Sequence, residues 1–453
     1  MLYAILKLIY KTGLWVFFRK FEIRNREDLP NQGPLLLVSN HPNTFMDPVV
    51  IASLLKQPVY FIAKSTVFGS SFTNWMLHNM HLIPIHRRED SPDQPVNNDD
   101  AFAASFQALA DGKAIIIFPE GNSFNERRLR KIKTGTARIA LGAEANTQAG
   151  IRIIPIGLNY SDPSRFRSKV FVNVGTPIVV ADYASAYQAN PTDTVLALTE
   201  QVRLSLEELI IHTPSEEDDE LARHVDVIYK DRVTMTGSKV TLQQEKDFVR
   251  TKAIVSSINY FRQKAPERIA VVSEKIRIYM QQLQHYKLRE GIVKKNDSDV
   301  LKQGILASLY LLFGFPFYLY GLLHNYIPYI IPSLLAKRLT REQEWHAPIM
   351  LTVGIFSFPI FYSVHLWIFW QLVPSVSWAV LYLISLPVSG FFTLGYWYTW
   401  RFTQEHWVLL RLFSKESSVV QKLKHMRQDI ITELETAQQE YEEQLKIYGE
   451  EAR

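Results

Sequence analysis

Two long stretches of this 453-residue chain are empty of charge: no Asp, Glu, Lys or Arg occurs between Lys302 and Lys337, nor between Glu344 and Arg401. The second far exceeds the roughly 20 apolar residues that one membrane-crossing helix requires. The chain is therefore read as a membrane protein with a large polar front part. Residues 345–400 divide at Pro374-Ser375-Val376-Ser377 into two spans, and Trp397, Tyr398 and Trp400 stand where an aromatic belt would meet the membrane surface. Lys337, Arg338 and Arg341 follow the first stretch, and Arg401, Arg411 and Lys415 follow the second. The positive-inside rule puts both groups in the cytosol, which requires an even number of crossings in each stretch. Pro316, Pro328 and Pro332 then predict a hairpin in 303–336, broken near His324-Asn325, in place of a single span.

The length exceeds what one core serves, at roughly 150 residues per domain. Short apolar runs at 35–38, 59–62, 81–85, 114–118, 151–158 and 170–174 alternate with helix-period stretches. That alternation predicts an α/β layer fold over residues 20–212. Residues 213–300 begin with Ser-Glu-Glu-Asp-Asp at 215–219 and continue as charged helical patterns, a helical extension without a catalytic motif. Residues 301–402 form the membrane domain. The tail, 403–453, is amphipathic, with apolar positions from Leu423 to Tyr448 repeating every 11 residues. Such a period does not favour a heptad seam, so the tail is expected to pack on the protein's own helices. At the front, residues 1–18 are apolar, Lys7 and Lys11 share one helical face, and no small-residue cleavage site follows. An uncleaved interfacial helix over 1–19 fits this pattern better than a signal peptide.

The absence of cysteine excludes disulfides, zinc ribbons, iron–sulfur clusters and cysteine nucleophiles. A net charge of +5 is mild. Without an RNA-binding signature or recognition-helix pattern it points to anionic lipid or a phosphorylated substrate, and not to nucleic acid.

Three candidate strands end in polar motifs. After Pro34-Leu35-Leu36-Leu37-Val38 comes Ser39-Asn40-His41-Pro42-Asn43-Thr44-Phe45-Met46-Asp47-Pro48. One reading is local: Asp47 caps a helix that Pro48 starts, and Asn40 with His41 satisfies loop backbone groups. The other needs His41 and Asp47 to meet, which the loop permits although a continuous helix would set them about 240° apart. A neutral imidazole oriented by a carboxylate is a competent general base. The second motif is Phe118-Pro119-Glu120-Gly121, a turn in which Gly121 can take positive φ and Glu120 projects at the strand's end. The third is His86-Arg87-Arg88, and Arg127, Arg128, Arg130, Lys131, Lys133 and Arg138 follow the Pro-Glu-Gly turn. Such cations would suit a phosphate-bearing acceptor if the strand ends converge.

Taken in order, Asn40-His41 with Asp47-Pro48, Ile83-Pro84-Ile85-His86-Arg87, Phe118-Pro119-Glu120-Gly121 and Ile154-Pro155-Ile156 resemble the four blocks of glycerol-phosphate and lysophosphatidate acyltransferases. The segment 42–46 between His41 and Asp47 is one residue longer than that family's usual spacing and resembles the fungal-type glycerol-3-phosphate and dihydroxyacetone-phosphate acyltransferases. The resemblance implies an acyltransferase-type α/β domain and transfer from acyl-CoA or acyl carrier protein to a glycerol hydroxyl, with lysophosphatidate as the alternative acceptor. It implies that His41 takes the hydroxyl proton and Asp47 holds the imidazole. Arg87, Glu120 and Gly121 would hold the glycerol-phosphate, with Lys133 adding charge, and no metal or bound cofactor would be needed. The catalytic domain would face the cytosol.

Other classes fit less well. There is no Gly-x-Ser-x-Gly elbow, no His-Glu-x-x-His and no P-loop. A transporter would have to couple protons through His324, His346 and His365 alone. A non-catalytic membrane scaffold with a decayed acyltransferase domain would not be expected to keep His41, Asp47, Arg87 and Glu120 intact.

Overall fold

The computed structural model describes residues 2–86, 98–230, 242–293, 297–415 and 417–451. These fall into two units, one of 1–212 with 331–356 and one of 213–330 with 357–453.

The first unit is built on a mixed sheet. Its elements are α1 (Leu2–Phe17), β1 (Lys20–Arg24), β2 (Leu35–Ser39), α2 (Met46–Leu54), β3 (Val59–Lys64), α3 (Ser71–Asn79), β4 (Leu82–Ile85), α4 (Asp99–Ala110), β5 (Ala114–Ile117), α5 (Gly135–Thr147), β6 (Arg152–Tyr160), β7 (Lys169–Val174), β8 (Ile178–Val179), α6 (Ala184–Ala189) and α7 (Pro191–Leu209). The strands lie in the order β1-β7-β6-β2-β5-β3-β4, with β8 beside β6. From β4 to β6 neighbouring strands are parallel, and β7 runs antiparallel to β6. Strand β2 is wholly buried, and its side chains alternate between two cores. Leu35 and Leu37 pack with Met46, Val50 and Ile51 of α2 and Leu14 of α1, whereas Leu36 and Val38 pack with Leu109, Ile139 and Leu206 on the other face. Helices on both faces of a largely parallel sheet give the doubly covered arrangement that near-continuous apolar strands require. Because β5 and β6 flank β2 in parallel, their carboxyl ends and the loops that follow them meet at one edge, where open α/β sheets place their sites.

Helix α1 is fastened to this unit. Lys7 Nζ donates to Leu55 O at 2.6 Å, capping the end of α2, while Leu8 and Trp15 are 68% and 69% exposed. The face left open is apolar, as an interfacial helix requires.

The second unit is helical: α8 (Glu216–Tyr229), α9 (Gln243–Lys264), α10 (Pro266–His285), α11 (Glu290–Val293), most of α12 (Asp297–Leu339), the end of α13 (His346–Leu372), α14 (Val376–Lys415) and α15 (Ser417–Glu451). The acidic stretch at 215–219 is a helix start: Ser215 Oγ accepts from Asp218 N at 3.1 Å and donates to its Oδ2 at 2.7 Å. Helix α15 packs on α10, and Arg268 reaches Glu433 at 2.9 Å and Glu440 at 2.6 Å.

Three helices among the described residues, α12, α13 and α14, are long and apolar enough to cross a membrane. The hairpin expected in 303–336 is not formed. Helix α12 runs unbroken for 43 residues through Pro316, Pro328 and Pro332. A proline lacks the N–H that would satisfy the carbonyl four residues back. For Pro332 that carbonyl is Pro328 O, and Ser357 Oγ donates to it at 3.1 Å. The lost bond is thus replaced by a neighbouring helix, which is how prolines are tolerated in apolar surroundings. Helices α12 and α14 run antiparallel, with Gly304 beside His406, Gly314 beside Phe392 and Gly321 beside Ser389. A Cβ on Gly321 would lie 2.4 Å from Ser389 O, so only glycine permits this approach. Asn325, buried between them, donates to Leu386 O at 3.1 Å and accepts from Tyr362 OH at 2.6 Å.

Candidate active site

Strand β2 ends where Asn40 takes over its hydrogen bonding. Asn40 Nδ2 donates to Leu158 O at 3.0 Å and Oδ1 accepts from Leu158 N at 2.8 Å, so a side-chain amide pairs with β6 as a strand residue would. This clamp sets where the loop begins. The next residue, His41, donates its backbone N–H to Glu120 Oε1 at 3.0 Å, and its ring stacks on Phe118 at a centroid distance of 3.9 Å.

The loop brings His41 and Asp47 together. His41 Nδ1 lies 2.8 Å from Asp47 Oδ2, with the histidine side chain 17% exposed and the aspartate wholly buried. The capping expectation for Asp47 is corrected here. Helix α2 begins at Met46, so Asp47 sits inside its first turn, and its carboxylate turns back over the loop. There Oδ2 also accepts from Asn43 N at 2.7 Å, and Oδ1 accepts from Tyr160 OH at 2.7 Å. An ionised carboxylate only accepts, so Nδ1 carries the imidazole proton and Nε2 presents its lone pair. Among the described residues no hydrogen-bond partner stands at Nε2. Burial and the charge of Asp47 push the Tyr160 phenol well above the usual tyrosine range, so it stays a donor.

Glu120 and Gly121 occupy the facing turn. Gly121 has φ 85 and its N–H donates to Phe118 O at 3.1 Å. A Cβ there would lie 3.0 Å from Lys133 Cε and Nζ, so Lys133 lies across the glycine, anchored by its own N–H to Pro119 O at 2.8 Å. Glu120 is 8% exposed, and both its oxygens bond backbone: Oε1 takes His41 N, and Oε2 takes Arg130 N at 3.1 Å. Burial raises its carboxyl above the usual range, against the pull of those two N–H groups. The cations after the turn do not all face the site. Arg130 pairs with Glu126 at 2.6 Å and lies over the Phe124 ring, and Arg128 reaches the same Glu126 at 3.2 Å. Arg87 lies outside the described residues.

Sequence reasoning missed Tyr160 and Phe118 as parts of this site. Tyr160 had a signal. Ile154, Ile156, Leu158 and Tyr160 alternate along β6 and all face the core that α2 covers, the side on which Asp47 sits.

Residues 20–159 match the family model described as Acyltransferase. The chain is 24% identical to Glycerol-3-phosphate O-acyltransferase 1 of Saccharomyces cerevisiae, over 77% of its own length and 57% of that protein's. To Glycerol-3-phosphate O-acyltransferase 2 of the same yeast it is 35% identical over 25% of this chain and 16% of that one. To the 1-acyl-sn-glycerol-3-phosphate acyltransferase of Borreliella burgdorferi it is 25% identical, over 46% and 75%. The chain thus spans little more than half of the first of these relatives. Residues 20–159, which carry most of this sheet and the loop that joins His41 to Asp47, thus form a domain of the Acyltransferase family.

Proposed function

We propose that the chain transfers an acyl group from a thioester, on CoA or acyl carrier protein, to a hydroxyl of glycerol-3-phosphate in phospholipid synthesis. The observation that carries this reading is the chain of bonds from Tyr160 through Asp47 to His41, which leaves Nε2 as a lone pair at the convergence of three strand ends. His41 Nε2 takes the hydroxyl proton as the oxygen attacks the thioester carbonyl. The C–S bond breaks, and the leaving thiolate takes the proton back from the imidazolium, which Asp47 stabilises meanwhile. As written, this chemistry calls for no metal or bound cofactor. Gly121, Lys133 and Arg87 are assigned to the acceptor phosphate, and Glu120 joins the His41 and Arg130 loops beside them. The apolar face of α1 and the helices α12, α13 and α14 hold the enzyme in the membrane as a multi-pass protein, with the acyltransferase domain, 20–212, on the cytosolic side, where acyl thioesters are found.

The test offers purified full-length protein glycerol-3-phosphate and lysophosphatidate separately, each with labelled acyl-CoA and labelled acyl carrier protein, and resolves products by mass. Lysophosphatidate formed from glycerol-3-phosphate is expected. Transfer to lysophosphatidate alone would move the chain to the second acylation step, the one named for the Borreliella relative. No transfer by folded protein to either acceptor would overturn the reading.

Tyr160→Phe keeps the ring and removes one bond to a buried charge. Its expected effect is a fall in kcat of about tenfold, with KM for both substrates nearly unchanged, since a charge-assisted hydrogen bond contributes about 1.5–3 kcal/mol. Steady-state kinetics at saturating donor and acceptor check this, and an unchanged kcat would leave Tyr160 a packing residue only.

A further inference from the structure

A cleft of about 900 Å³ opens in the second unit between α12 and α14, far along the sequence from the acyltransferase motifs. Its floor is apolar: Leu311, Leu312 and Phe315 of α12 face Tyr396 of α14, whose hydroxyl is committed to Leu311 O at 2.9 Å. Leu312 and Phe315 are 68% and 52% exposed, on a helix long and apolar enough to cross a membrane. The rim is cationic. Lys287, Arg401 and Arg411 line it, and among the described residues none of the three has an ion-pair partner. Glu405 is the one carboxylate among the lining residues, and Arg289 neutralises it. Trp400 and Trp407 also line it, with Trp407 Nε1 donating to Ser308 Oγ at 3.0 Å. Arg401 is the first charged residue after the empty stretch, so the rim lies where α14 leaves apolar surroundings.

We propose that this cleft binds an anionic glycerophospholipid, its head-group phosphate between Lys287, Arg401 and Arg411 and an acyl chain along the apolar floor. The charge argument selects the head group. Three unpaired cations beside a neutralised carboxylate leave a net positive site that a zwitterionic head group fills poorly and an anionic one fills well. The floor selects a lipid over a soluble anion, because a phosphate ester without a chain would leave Leu312 and Phe315 uncovered. Trp400, next to Arg401 at the end of the charge-free stretch, is placed as an interfacial anchor is. This site is independent of the reaction proposed above, and its test reads binding alone.

The chain has no cysteine, so a single Leu312→Cys carries a fluorescent bimane without background. The labelled full-length protein is placed in phosphatidylcholine nanodiscs, and acyl-brominated phosphatidate or acyl-brominated phosphatidylcholine is added in rising mole fraction. Half-quenching by brominated phosphatidate is expected at a mole fraction about tenfold lower than by brominated phosphatidylcholine. Arg401→Gln with Arg411→Gln should erase that preference, while Lys246→Gln with Lys422→Gln, which removes the same charge elsewhere, should keep it. Lys287 has φ 55, a conformation asparagine tolerates, so Lys287→Asn removes one rim cation with little backbone cost and should halve the preference or more even if the double variant is unstable. Equal quenching by the two lipids, or a preference that survives in both Lys287→Asn and the arginine variant, would overturn the proposal. So would full reversal by millimolar coenzyme A, which would make the site one for a soluble phosphate.

Discussion

His41→Ala is expected to lower acyl transfer by about 10³-fold or more while the protein still folds. Positioned general bases contribute about 10²–10⁴-fold, and nothing else described at this edge of the sheet can take over. Glu120, the nearest carboxylate in the facing turn, has both oxygens on backbone N–H groups and is raised by burial, so it is committed to holding loops. The fold should survive because the substitution does not orphan Asp47, which keeps Asn43 N and Tyr160 OH as donors. What is lost is one charge-assisted bond and the stack on Phe118, a cost of about 2–3 kcal/mol. Single-turnover transfer from labelled acyl-CoA, paired with thermal unfolding of the same sample, separates the two effects. Since the imidazole site is 17% exposed, added imidazole should restore part of the rate. A variant within tenfold of the parent rate would remove His41 as the base.

How much of this site can be read from sequence depends on the range of the contact. The strands at 35–39 and 114–117 are announced by runs of branched apolar residues, and the turn at Gly121 by its own composition, since those signals are local. The meeting of His41 and Asp47 needs only a six-residue loop. The bond between Tyr160 and Asp47 joins positions 113 residues apart, and it exists only because β6 lies beside β2 in one particular register. Strand order and register are products of packing, and no pattern within β6 states them. The same holds for α12. Its prolines are a strong local signal for a break, and the bond from Ser357 that offsets one of them comes from a different helix. Glu120 shows a subtler limit: its place at a strand end was legible, yet its commitment to two backbone groups follows from where the neighbouring loops run.

Asp47→Asn tests how the carboxylate acts, and the surrounding donors determine what the substitution changes. An asparagine at 47 must place one oxygen and one amide nitrogen where two carboxylate oxygens now lie. At the Oδ2 position stand two donors, Asn43 N at 2.7 Å and His41 Nδ1 at 2.8 Å. Asn43 N–H is backbone and cannot reverse its role, so an amide nitrogen there would meet a fixed donor. Tyr160 OH, 2.7 Å from the Oδ1 position, can rotate and accept instead. The asparagine is therefore expected to keep its oxygen toward His41 and its nitrogen toward Tyr160, which preserves both the loop and the proton on Nδ1. Only the negative charge is removed. The imidazolium formed during transfer then loses a fully buried counter-charge, and kcat is expected to fall by about 10²–10³-fold with modest change in KM. If the tautomer were reversed instead, Nε2 would carry the proton and the loss should match that of His41→Ala. The double variant Asp47→Asn with Tyr160→Phe sharpens the test, because phenylalanine leaves the new amide nitrogen, which Asn43 N–H still holds on that side, without an acceptor. We expect that pair to lose about tenfold more than Asp47→Asn alone. An Asp47→Asn enzyme with near-parent kcat would show that the carboxylate serves the loop and not the reaction.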